Sequence, residues 1–138
     1  MMTVFIPLPV SQAVEFLRNP WFGISRARDA SFNLVGFHCA KQALEAARLA
    51  EKGDIAIVHI EFGETFHEGL CRAGLINGTG RHPGTGAALW TIKPQGSNEL
   101  CAHASFRMQI VRGEAGAARD RALRELGDDP AGWIGCKL

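Results

Sequence analysis

Five histidines, four cysteines and a long glycine-rich run carry most of the side chains that could do chemistry in this 138-residue chain. The run Gly74 to Gly86, GLINGTGRHPGTG, could cradle a phosphate with successive backbone N–H groups, with Arg81 and His82 adding charge. It is not a P-loop, because no Gly-Lys-Ser/Thr follows. Nor is it a dinucleotide fingerprint, because a strand pattern follows where that motif needs a helix. Without a ligand it reads as a surface loop. His67 and Cys71 lie four apart and share a face if helical, whereas Cys101 and His103 lie two apart and share a face if extended. These four are the N and S ligands that tetrahedral zinc prefers, but their spacing is that of no common finger or ribbon, so no metal ligand is assigned. His38 and Cys39 are chain neighbours and point apart on a strand. A nucleophilic Cys–His pair would therefore need a partner from elsewhere, for example Cys39 with His59. Glu99 is the only carboxylate between Glu68 and Glu114. Trp21 and Phe22 with Arg26 and Arg28 form a basic-aromatic cluster suited to an acidic or nucleotide partner.

The elements that must position these residues follow from periodicity. Val4 to Leu8 has strand character and is expected to stop at Pro7 and Pro9; Ser11 can cap a helix from Gln12 to Arg18, which Asn19-Pro20 ends. Trp21 to Ala30 reads as irregular and Phe32 to Cys39 as strand-like. Ala40 to Lys52 is the clearest helix, with alanines and Leu44 on one face, charges opposite and Gly53 just beyond. Ile55 to Phe62 is the clearest strand, β-branched and apolar. Ala87 to Lys93 is a second strand ended by Pro94, Gln95 to Asn98 a turn, and Ala104 to Val111 an alternating strand. Glu114 to Leu126 has a helical Ala/Leu face, and the tail to Leu138 is loop with an apolar patch at Trp133-Ile134.

Composition bounds the rest. Hydrophobic residues make up 46% and charged residues 21%, so the chain is globular, and its length suits one domain over residues 1–138. The net charge of +1 argues against a general nucleic-acid or membrane-surface binder. No signal peptide or membrane span is legible. Cys39, Cys71, Cys101 and Cys136 form no C-x-x-C pair, so reduced thiols in a cytoplasm are expected. The expected fold is a single α+β domain, with a curved, mainly antiparallel sheet and about three helices.

Two segments carry a family resemblance. Residues 35 to 64, VGFHCAKQALEAARLAEKGDIAIVHIEFGE, and residues 97 to 111, SNELCAHASFRMQIV, resemble the NAD-binding core of ADP-ribosyltransferases, in the poly-ADP-ribose polymerase branch. That family has a glycine-aromatic-Tyr segment before a helix of small residues, a strand ending in Gly, and a polar turn whose Glu opens a later strand. Gly36-Phe37-His38-Cys39 stands at the first of these, with His38 in the Tyr position, and Asn98-Glu99-Leu100 stands at the catalytic Glu. The chain has no Tyr, and Phe5-Ile6-Pro7-Leu8 lacks the His or Arg of the family's first motif.

The resemblance implies a transferase that takes NAD as substrate and moves ADP-ribose to a macromolecular target, more readily a protein than a nucleic acid. Glu99 would be catalytic, stabilising positive charge on the ribose ring. Phe37 or His38 would stack on nicotinamide and Arg81 would meet the pyrophosphate. The missing first-motif and Tyr residues motivate an alternative, a non-catalytic inhibitor or adaptor that binds protein on a degenerate transferase-like scaffold. A zinc-binding domain is a third reading.

Overall fold

The first strand runs straight through its prolines. In the computed structural model, which describes residues 1–29, 31–50 and 54–112, β1 spans Met2–Pro9 and registers along its whole length with β3 (Ile55–Phe62), from Met2↔Phe62 to Pro9↔Ile55. The Val10 N–H donates to the Asp54 carbonyl at 3.3 Å, so the even residues of β1 bond toward β3. The nitrogens of Pro7 and Pro9 therefore point to the other side, toward β2 (Leu34–Phe37), where a missing N–H does no harm to the β3 ladder. On that side pairing is confined to Phe5↔Phe37.

Among the described residues six strands form one antiparallel sheet in the order β4-β5-β2-β1-β3-β6, with β4 at Ile76–Arg81, β5 at Ala88–Ile92 and β6 at Ser105–Arg112. Five helices pack on it: α1 (Val10–Arg18), α2 (Pro20–Arg26), α3 (Ala40–Ala50), α4 (Glu64–Arg72) and α5 (Pro94–His103). The α+β class and the antiparallel sheet are as expected, with five helices among the described residues where about three were expected. No described helix is long and apolar enough to cross a membrane. The helix expected over 114–126, the Trp133-Ile134 patch and Cys136 lie outside the described residues.

Strand alternation separates two cores. Val4, Ile6, Leu34, Val58, Ile60, Ile92 and Met108 pack with Val14, Phe16, Ile24, Leu70 and Leu100 on the first face of the sheet. Phe37, Ile57 and Leu89 pack with Ala43 and Ala46 of α3 on the second.

Three elements depart from expectation. Trp21 to Ala30 begins as helix α2 because Pro20 supplies a preset φ at its first turn and the Asn19 Oδ1 accepts the Phe22 N–H at 3.4 Å. Gly23 lets α2 approach α1, since a Cβ there would sit 2.5 Å from the Phe16 ring. The glycine run contains strand β4, which has a register shift between Asn77 and Gly80, where Asn77 Oδ1 accepts the Thr79 N–H at 2.8 Å. The turn that follows is held by His82, whose Nδ1 accepts the Gly84 and Thr85 N–H groups at 3.2 and 3.1 Å. Residues 94–103 form helix α5 where a turn and the approach to a strand were expected. Pro94 starts it, and Gly96, Ser97 and Leu100 are buried on its inner face.

Candidate functional site

The expected site residues are divided among three depressions. Phe37 ends β2 with its ring buried on the second face, 5.4 Å from the His82 ring. It shares a depression of about 520 Å³ with Arg81, the last residue of β4; Asp29, Val35, Leu89 and Thr91 are also in its walls. This brings Phe37 and Arg81 together beside the His82 turn, and much of its wall is apolar.

His38 is the residue after β2 and is exposed. Its ring lies against Trp90 of β5, with centroids 4.3 Å apart and planes within 18°. Trp90 stands opposite Gly36 in register, and its other near neighbour is Gly78 of β4, where a Cβ would fall 2.9 Å from the indole. Gly78 thus makes room for the stacked pair, since a Cβ there would crowd both the indole and the His38 ring. His38 and Trp90 border a second depression, of about 360 Å³, with Met1, Met2, Thr3 and Phe5. The first-motif position is filled by the apolar strand β1, with Phe5 paired to Phe37 beside this depression.

Glu99 lies in α5, not at the head of a strand. Its half-exposed carboxylate faces His103, one turn on, at 3.7 Å. It lines a third depression, a groove of about 580 Å³ between α4 and α5 bounded by Thr65, Phe66, Gly69, Leu70 and Leu75. A row of rings separates it from His38. Trp90 meets His67 edge-on at 5.2 Å, His67 lies 5.9 Å from Phe62, Phe62 lies 5.9 Å from Phe66, and Phe66 lies 5.3 Å from His103. His38 and Glu99 stand at the two ends of this row and share no depression.

The chain resembles no protein in the comparisons made: no family model, curated protein or solved structure matches it.

The cysteine candidates resolve differently. His67 and Cys71 do share a face of α4, with Sγ 3.5 Å from Nε2, while the His67 Nδ1 is buried without a hydrogen-bond partner. Cys101 and His103 lie on α5 with Glu99, and no group of three or more His, Cys, Asp or Glu comes together among the described residues. Burial pushes the Cys101 thiol up, against a smaller opposing pull from Arg28. Cys39 is exposed just after β2, whereas His59 lies in β3 on the second face beside the Phe5 ring, at 4.5 Å. Burial lowers the His59 pKa to about 4; a hydrogen bond to Gln109 opposes the shift and the Arg107 charge adds to it.

Sequence reasoning missed Trp90 and the row of rings. The available signal was Gly78, a small residue where a large ring must fit, but the pairing of β4 with β5 is not written in local spacing.

Proposed function

We propose that this chain binds NAD or a related nucleotide on an ADP-ribosyltransferase-like scaffold, and that it binds without transferring ADP-ribose. The observation that carries the reading is the His38–Trp90 stack at the mouth of a depression at the end of β2. That is the segment where the resemblance implies a nicotinamide-stacking ring. A ring stacked on one side and open on the other offers a flat π surface to a second ring. The adjoining residue, Phe37, lines a separate depression with Arg81, whose guanidinium suits the pyrophosphate of a ligand reaching past the end of β2. The strand–helix–strand order of residues 34–62 supports the scaffold. What favours binding over transfer is that Glu99 lies at the far end of the row of rings from His38 and already faces His103. A carboxylate stabilises charge on a ribose only when it stands beside that ribose.

The test is a thermal melt with millimolar NAD, repeated with nicotinamide and with AMP, because a ligand that binds only the native state raises Tm. NAD should raise Tm, and His38→Ala and Arg81→Ala should each shrink the rise. Glu99→Gln should leave it unchanged, and labelled NAD should not be consumed. No rise with NAD removes the reading; consumption abolished by Glu99→Gln restores the transferase.

A second reading, a protein-binding adaptor, is favoured by the exposure of Trp21, Phe22 and Phe32 at 56%, 47% and 70%. A partner whose affinity falls with Trp21→Ala and is indifferent to NAD would support it.

A further inference from the structure

The α4–α5 groove takes no part in the nucleotide reading, yet it is the largest of the depressions described above. Its apolar walls are Phe66, Leu70 and Leu75, Thr65 also lines it, and of the described residues that line it Glu99 alone is charged. A concave apolar surface with one converging charge is the ordinary form of a small-molecule site.

Gly69 is an independent observation. It sits inside α4, where glycine weakens a helix relative to alanine. Packing does not demand it, because a Cβ at that position would meet no atom within 4 Å beyond its chain neighbours and the backbone of its own helix. Its φ is not in the left-handed region either. What the missing side chain leaves is floor space in the groove it lines. A larger residue there would begin to fill that space from its Cβ outward.

We propose that this groove binds a small apolar cation, a primary amine on an aromatic or hydrocarbon body. Its ammonium pairs with Glu99 and its body lies along Phe66, Leu70 and Leu75 over Gly69. The choice of a cation follows from charge complementarity, since a neutral ligand would leave the Glu99 carboxylate at the rim without a new partner and an anion would be repelled by it. His103 now faces that carboxylate at 3.7 Å, longer than a good charge-assisted hydrogen bond, so an ammonium at closer range replaces a loose contact.

The test uses the full chain and 4-phenylbutylamine, with 4-phenylbutan-1-ol as the neutral analogue, followed by the methyl signals of Leu70 and Leu75 in NMR titrations. The amine should bind several-fold more tightly than the alcohol. Glu99→Gln, at an exposed position, should erase that preference and weaken the amine by roughly three- to tenfold. Gly69→Leu should block both ligands while raising Tm, since leucine is the better helix former. The NAD response of the nucleotide reading should survive in both variants, and His38→Ala should leave amine binding intact. The proposal fails if millimolar amine leaves Leu70 and Leu75 unmoved, if amine and alcohol bind alike, if Glu99→Gln keeps the preference, or if Gly69→Leu still binds.

Discussion

His59 should make this domain lose stability between pH 7 and pH 5, before most carboxylates protonate. The imidazole is 9% exposed on the second face of the sheet, against the Phe5 ring and beside Gln109. Burial is the main reason that its pKa falls from the ordinary 6.5 to about 4, with Arg107 adding to the fall and Gln109 opposing it. The unfolded chain therefore binds a proton on this residue at a higher pH than the folded chain does. The stability linked to the neutral ring is fully present above pH 6.5, declines as pH drops below that, and is gone once pH passes below about 4. A depression of that size is worth about 3 kcal/mol in full, and about 2 kcal/mol of it is lost by pH 5. For a domain of this length that is a fall of roughly 6–10 °C in Tm. Melts at constant ionic strength from pH 7.5 to 4.5, on the native chain and on His59→Gln, read this directly. The native chain should show the decline, and the variant should start lower and run flatter. A native curve level from pH 7 to pH 5, or an equal slope in the variant, would refute the burial argument.

Other positions make equally definite demands. Gly36→Ala should destabilise by about 1–3 kcal/mol in urea titration, because its Cβ would overlap the Val4 side chain. Asp29→Ala should lower Tm by roughly 3–5 °C, since Oδ1 accepts the Ser31 and Asn33 N–H groups at 2.9 and 3.2 Å and the exposed setting limits the loss to about 1 kcal/mol. The same bonds, the Ser31 hydroxyl first, hold the Asp29 pKa down, so this contribution should fade as acid protonates the carboxyl. Phe32→Asn should raise stability by about 0.5–1 kcal/mol, because Phe32 holds φ +66° while 70% exposed, a conformation asparagine tolerates better. Alkylation with iodoacetamide, mapped by mass spectrometry, should modify exposed Cys71, beside the His67 imidazole, well before Cys101, whose thiol burial pushes up.

The legible parts of the fold were those where one physical signal dominates. Helix α3 shows an alanine face against a charged face, and β3 is an apolar run dominated by β-branched residues from Ile55 to Ile60. The sequence places both within a few residues of where they lie. The misread parts are those where local signals conflict and a distant contact decides. The glycines of β4 look like loop because what they accommodate, Trp90 and the Leu89–Thr91 backbone and side chains, arrives from another strand. The 94–103 segment contains Gly, Ser and Asn, weak helix formers, yet it winds because Leu100 and Ser97 are buried and Gly96 must pass close to Ile92 and Leu75. The candidate site was legible as a list of residues and not as a place. Phe37 and Arg81 meet through the β2–β5–β4 pairing, whereas His38 and Glu99 stand at opposite ends of a row of rings.

The two prolines of the first strand have a mechanical consequence. With Phe5↔Phe37 the sole register pair between β1 and β2, the sheet is two three-stranded ribbons stitched at one point. Each ribbon has its own multi-residue ladders, so backbone hydrogen bonding binds strands within a ribbon far more than across the seam, where side-chain packing in the shared core does the joining. Amide exchange should reveal this seam as two protection classes, β4-β5-β2 and β1-β3-β6, divided at the same residue pair that lies beside the His38–Trp90 stack.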